Sequence, residues 1–444
     1  MRRTAISLSS LILSIILLIT GNAFLMTLLG LRLSLEEFSE STIGWILVFY
    51  SVGFVFGTLY AGRIIERVGH IRAFAVFAAI LAAATLIYPM AVEAGLWAGL
   101  RALGGFVMAG LMIVMESWFS SKADNRNRAT LFALYQIVFF LSTAGGQVLI
   151  RVADPSGFIP FSLAAILVAL AVTPLSMTRR ESPVIVKGQR MSLPTLYRVS
   201  PTGALGAVIA GLLISAFYAM GPVYANRIGL DLNQLSNFMA SAIVAAMLLA
   251  FPVGWLCDSF DRYRILVVTT VVAAVCSLVV AFAGSYSLVV LILFTGLYMG
   301  LSAALYPIAV AITNDLMDSS EITAASTALL LSYGVGSCAG PIISALFMDL
   351  LGPGGLFVSN AFFLGLMALF MVFGPGRVRP AVQHQEHYYP TTPEAGLGLA
   401  ELDPRNTEFE EPPQEDEEEA KMRRRSPGTD APPEAPGGDG DQNR

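Results

Sequence analysis

The chain has 444 residues, of which 55% are apolar and only 13% charged, and its mean hydropathy of +0.68 is too high for a water-soluble fold. Its formal charge of −5 describes no single surface, because sixteen acidic and eight basic residues lie from Pro375 onward while the remainder is slightly positive. Composition therefore excludes soluble classes, makes lipid the main solvent, and gives no reason to expect a nucleic-acid partner.

Roughly 20 apolar residues cross the hydrocarbon of a bilayer. Runs of that kind follow one another at 7–31, 43–65, 71–92, 95–119, 128–150, 158–177, 201–226, 235–257, 263–283, 286–313, 324–350 and 355–373, six on each side of a polar stretch. Backbone groups cannot stay unpaired in hydrocarbon and the runs are too long for barrel strands, so they are predicted to be helices. Met1-Arg2-Arg3 before the first run is reminiscent of a secretory leader. That run is too long and lacks a small-x-small cleavage site, so it is read as the first helix.

The expected organisation is an all-α membrane protein with a six-helix bundle over 1–178, a linker over 179–200, a second bundle over 201–374 and an acidic tail over 375–444. The tail is rich in Pro, Gly and Glu, a composition that cannot bury enough apolar surface to fold. With the amino terminus inside, the inner loops of the core hold fifteen Lys/Arg, among them Arg63, Arg67, Arg72, Lys122, Arg126, Arg128, Arg179, Arg180, Arg262 and Arg264. The outer loops hold Arg32, Arg151 and Arg227. This asymmetry predicts both termini on the cytoplasmic side.

Cys257, Cys276 and Cys338 lie singly in apolar runs, and His70, His384 and His387 form no ligand pattern, so no metal site is expected. No phosphate-binding loop, dinucleotide fingerprint or nucleophile elbow is present, so neither a cofactor nor a catalytic set is expected, and the chain is not read as an enzyme.

One motif occurs twice. Gly62, Glu66, Arg67, Gly69 and Arg72 recur 192 positions later as Gly254, Asp258, Ser259, Asp261 and Arg264, each copy after an apolar run. A charged loop repeated once per half is the mark of a solute carrier made of two parallel repeats. Gly62 and Glu66 share a helix face, where the glycine would admit a neighbouring helix and the carboxylate would meet that helix's amino terminus. Gly62 to Arg72 resembles the Gly-x-x-x-Asp-Arg-x-Gly-Arg-Arg signature of the major facilitator superfamily, with Glu66 in place of Asp and His70-Ile71 interrupting the basic cluster. The second copy keeps Asp258, Arg262 and Arg264.

The resemblance covers about 5–374. It implies a latch in which Glu66 meets the start of the eleventh span near Ala324, with Glu116 pairing with Arg72, Arg126 or Arg128 at the same face. A tight inner loop held by static charge pairs is the alternative. Met115-Glu116-Ser117-Trp118, Tyr197-Arg198-Val199-Ser200-Pro201 and Gly221-Pro222-Val223-Tyr224-Ala225 are similar to the YcaD-type bacterial branch of that superfamily. The branch implies a bacterial inner membrane, and the superfamily resemblance implies a monomer.

Arg101 is the basic residue placed well inside a span, about 9 Å below the outer end of the fourth at 1.5 Å per residue. Ionisable groups at such depth mark a pathway, and snorkelling to the headgroups is the alternative. The resemblance implies a cavity lined by spans one, four, seven and ten with help from five, eight and eleven. Candidates on those spans are Asn22, Arg101, Tyr135, Gln136, Tyr218, Tyr224, Tyr298, Tyr306 and Tyr333. Gly221-Pro222, Tyr306-Pro307 and Gly340-Pro341 read equally as hinges and as fixed kinks.

Every acid of the core reads as a loop or helix-end residue, so no buried carboxylate offers itself as a proton carrier and a coupling proton stays open. The function this implies is a secondary transporter moving a small organic solute, a metabolite or drug, by rocking of the two halves. A transporter-like receptor signalling through its tail is the competing class.

Overall fold

The structure, a computed structural model, describes residues 2–120, 128–176, 191–317 and 321–373. Among them are twelve helical segments long and apolar enough to cross a membrane. The first half holds α1 (Arg2–Leu35), α2 (Glu40–Val68), α3 (His70–Ile87), α4 (Ala94–Ser120), α5 (Arg128–Val148), α6 (Ile159–Leu170) and α7 (Val172–Ser176). After α8 (Leu193–Val199) come α9 (Pro201–Arg227), α10 (Leu232–Ser259), α11 (Arg262–Ala283), α12 (Leu288–Asn314), α13 (Ile322–Leu351) and α14 (Gly355–Phe373). Arg126, most of the linker expected over 179–200 and the tail from Pro375 lie outside the described residues.

Local chemistry sets the helix ends. Ser39 accepts from Thr42 N to start α2, Asp231 and Gln234 form a capping box on α10, and Asp261 accepts from Arg264 N at the head of α11. Gly69, at φ 85°, makes the turn between α2 and α3 and donates its N–H to Ile65 O at 2.8 Å. The sixth crossing, expected as one run, breaks between α6 and α7. Pro174 has no N–H to give to Leu170 O, and the Thr173 hydroxyl donates there instead at 2.8 Å. Elsewhere Pro222, Pro252, Pro307 and Pro341 sit inside α9, α10, α12 and α13, which continue through them.

The two halves pack by the same rule. α2 lies on α4 as α10 lies on α12, α1 on α5 as α9 on α13, and α3 on α6 as α11 on α14. Between the halves α2 meets α13, α5 meets α10, and α1 meets α9. Large apolar side chains such as Phe251, Phe282 and Val289 are 70–86% exposed, as lipid contact requires and water would not favour.

Two glycine contacts explain how close the helices come. A Cβ at Gly105 would run into the Tyr50 carbonyl oxygen, and one at Gly336 into that of Val208. Helices without a hydrophobic drive between them associate through such small-residue approaches. Gly62, expected to admit a helix, has open space around it instead.

The spans have two kinds of end. One, the basic face, carries the repeated charged loops. The other, the distal face, carries the α1–α2 and α9–α10 turns. At the distal face one apolar cluster runs through both halves, with Leu28, Leu29 and Ile43 joined to Ala216, Met220 and Val223. Toward the basic face the first half has a separate cluster of its own, including Ile15, Ile65, Phe74, Met112 and Trp118.

Candidate functional site

A cavity of about 180 Å³ lies between the halves, walled by α1, α2, α4 and α5 on one side and α9 and α13 on the other. Its wall is mostly apolar, and among the described residues Arg101 is the only charged one in it. Of the predicted candidates, Asn22, Arg101, Tyr218 and Tyr333 line it. Neither α10 nor α12 contributes to this wall, although both were expected to.

The remaining candidates are buried elsewhere. Tyr135 packs edge-on against Phe119 at 5.3 Å, Tyr298 against Phe357 at 5.7 Å, and Tyr306 against Tyr333 at 5.5 Å, while Gln136 is buried in α5. Tyr224 packs on Phe357 at 5.0 Å. Tyrosine type and span number alone do not separate a wall residue from a packed one. Tyr50, Gln147 and Ser337 also reach the wall and were not singled out, because nothing in an apolar run signals which face meets the other half.

Arg101 does not snorkel: it is 3% exposed. Its Nη2 donates to Leu47 O at 3.3 Å, its Nη1 to the Met26 sulfur at 2.8 Å, and the guanidinium carbon stands 4.6 Å from the centre of the Tyr50 ring. Its Nε has no partner. Asn22 points its Nδ2 at Tyr50 Oη, 3.4 Å away, and leaves Oδ1 without a partner. α2 and α4 hold this group because Gly105 lets them approach at the level of Tyr50.

Polar contacts join the halves at the distal face. Arg227, at the end of α9, pairs with Glu40 of α2 at 2.8 Å and donates to Phe38 O at 3.0 Å. Asn226 donates to the Ser34 hydroxyl at 2.9 Å, and Ser41 N donates to Asp349 at 3.1 Å. On the other flank Arg151 donates to Ser236 at 2.9 Å and to Asn237 at 2.6 Å, and the Ser236 hydroxyl donates to Gln147 O at 2.9 Å. Residues of the outer loops in the sequence reading thus clasp the two halves together, which no local pattern announces.

A twelve-span core built of two similarly packed halves around a central cavity narrows the comparison, and a family model decides it. The model of the Major Facilitator Superfamily matches residues 11–301 and 203–404. The chain belongs to this superfamily. A relative in Yersinia pestis (strain Pestoides F), named only as an uncharacterized MFS-type transporter, is 29% identical over 346 residues, covering 76% of this chain and 88% of that one. The MFS-type transporter YcaD of Shigella flexneri serotype 5b is 28% identical over 377 residues, covering 84% and 97%. Among solved structures, the nucleoside transporter NupG superposes with a TM-score of 0.67 at 14% identity, over 83% of this chain and 98% of that one. A D-xylose–proton symporter superposes with a TM-score of 0.64 at 14% identity, over 85% and 98%. At these identities the structures speak for the fold.

The superfamily loop itself is asymmetric between the halves. In the first, Glu66, Arg67 and Arg72 are exposed, and Arg63 stands 5.3 Å from the centre of the Tyr60 ring. In the second, Arg262 is 1% exposed and grips both oxygens of Asp315 at 2.6 and 2.7 Å, with Asp258 3.7 Å away. Asp258, expected either as a latch or as part of a static charge pair of the inner loop, lies i,i+4 from Arg262 and pairs with it at 3.7 Å. Asp315, which follows α12, was not foreseen. Two acids read as helix-end residues are in fact buried: Glu116 is 0% exposed and the Asp315 side chain 2%.

Proposed function

We propose that the protein is a secondary transporter of a small organic solute, working by alternating access, with the central cavity as its solute site. One observation carries the reading: the cavity lies between two similarly built halves whose apolar cores and polar contacts are joined at the distal face and whose cores are separate toward the basic face. A cavity so placed communicates with one side of a membrane at a time when the halves rock. By the excess of Lys/Arg, the basic face is cytoplasmic, both ends of the twelve-span core lie there, and this is the inward-facing state, with the bacterial relatives supporting an inner membrane. Among the described residues no Asp, Glu or His lines the cavity, so the wall they form holds no group to carry a coupling proton.

The opposite state needs its own clasp at the basic face. α13 begins at Ile322 with no side-chain bond from its N-cap Glu321, so its first N–H groups suit an incoming carboxylate. Glu66, exposed at the end of α2, is the residue we assign to that role, and the sequence 62–72 around it acts as the gate. Spin labels placed in pairs across each face test the reading. Two populations whose distances change in opposite senses at the two faces are expected, and Glu66→Ala is expected to enrich the one with the short distal distance. A single population at both faces, unchanged by Glu66→Ala, would overturn it.

A further inference from the structure

We infer that the cavity takes an organic monoanion, a carboxylate on an apolar or aromatic body, anchored by Arg101. The inference rests on reading the cavity as the solute site and adds the chemistry of what enters it. A guanidinium carries five N–H donors and cannot be neutralised by losing a proton. At 3% exposure, that of Arg101 has one carbonyl, one thioether, which is a weak acceptor, and the face of Tyr50. Its Nε donates to nothing, and among the described residues no ion pair includes it and no acid lines the cavity. A buried charge is stable only when paired, and the partner that the described residues do not supply is an anion.

A carboxylate fits this place best. Its two oxygens match the parallel N–H pair that Nε and Nη2 present, giving the unpartnered Nε a charged acceptor while Nη1 keeps only the weakly accepting Met26 sulfur. One positive charge on the wall is balanced by one negative charge, which disfavours a dianion. The remaining wall, with Met108, Met112, Phe139 and Ile214, suits an apolar or aromatic body. Asn22 Oδ1, also without a partner, adds one acceptor for a hydroxyl or N–H on that body.

The test uses the full chain purified in detergent and four probes: 3-phenylpropionate, its amide, 3-phenylpropylamine and inorganic phosphate. The carboxylate is expected to raise the unfolding midpoint saturably and to bind about tenfold more tightly than the amide, with no shift from the amine or phosphate. Arg101→Gln is expected to abolish that tenfold preference, and Arg101→Lys to keep part of it. If Arg101→Gln does not fold, Met26→Leu carries the test. It removes the protein's own acceptor at Nη1, so carboxylate binding should tighten by about threefold.

Equal stabilisation by amide or amine overturns the inference, as does a shift reproduced by phosphate alone. Preference retained in Arg101→Gln, unchanged or weaker binding in Met26→Leu, or no response to carboxylates from acetate to 4-phenylbutyrate does the same. The spin-label distances separate this from the transport reading. Carboxylate preference with static faces sinks transport, whereas alternating faces without that preference sink only the anion.

Discussion

Replacing Asp315 by Asn would leave the Arg262 guanidinium, 1% exposed, without the carboxylate whose two oxygens it holds at 2.6 and 2.7 Å. Breaking a buried pair by removing one partner costs about 3–5 kcal/mol, and the lower figure applies here because Asp258 stays 3.7 Å away. The double variant Arg262→Met/Asp315→Leu removes both charges and should lose much less stability than Asp315→Asn. Thermal unfolding of the three proteins in one detergent decides it, and a double variant as unstable as the single would refute the pair's burial as the cause. The same residues show what one chain of letters discloses. Arg101 was visible because a charge deep in an apolar run must either mark a pathway or snorkel to the headgroups, and both readings single it out. Asp315 was not, since an acid one residue past a span looks like any loop acid. Its partner lies 53 positions away, across a packing of α11 on α12 that periodicity does not specify.

At the scale of helices, the spacing of small residues rather than hydrophobicity sets who neighbours whom. Gly105→Ala would push a methyl into the Tyr50 carbonyl and force α2 from α4, an overpacking cost of about 1–3 kcal/mol. Gly62→Ala meets nothing within 4 Å in this state, and in a helix interior it should be neutral or stabilising by up to about 1 kcal/mol. Unfolding midpoints of the two variants should therefore move apart, and a larger loss for Gly62→Ala would mean that another state dominates in solution. Hydropathy was enough to count the crossings and to end the last one at Phe373. It missed the break before Pro174, because helix continuity there depends on a single hydrogen bond and not on average apolarity, and it missed the nine residues by which α1, over Arg2–Leu35, outruns the apolar run at 7–31. Which helix faces the cavity was equally hidden. A run apolar all round carries almost no moment, so Tyr218 on the wall and Tyr298 in the core look alike until α9 and α12 are packed.

For the whole molecule, the proposed cycle sets the distal contacts against the Glu66 gate, and in it their balance decides which face is open. The Arg227–Glu40 pair is partly exposed, 29% and 22%, so it contributes no more than about 1 kcal/mol by itself. Arg227 also donates to Phe38 O, and losing both contacts should shift the equilibrium by roughly 1–1.4 kcal/mol, about five- to tenfold in the ratio of states. That is small for folding and large for the proposed two-state cycle, in which such states differ by only a few kcal/mol. Arg227→Ala should thus lengthen the distal spin-label distance in a larger fraction of molecules at nearly unchanged unfolding midpoint, the reverse of the change expected for Glu66→Ala. Combining the two substitutions should bring the populations back toward the unmodified protein, because each removes a stabiliser of a different state and the sites lie at opposite faces, far enough apart to add. If Arg227→Ala instead lowered the midpoint and left the distances alone, the contacts at the distal face would be part of the static frame, and the clasp would have to be sought at Arg151 and Ser236.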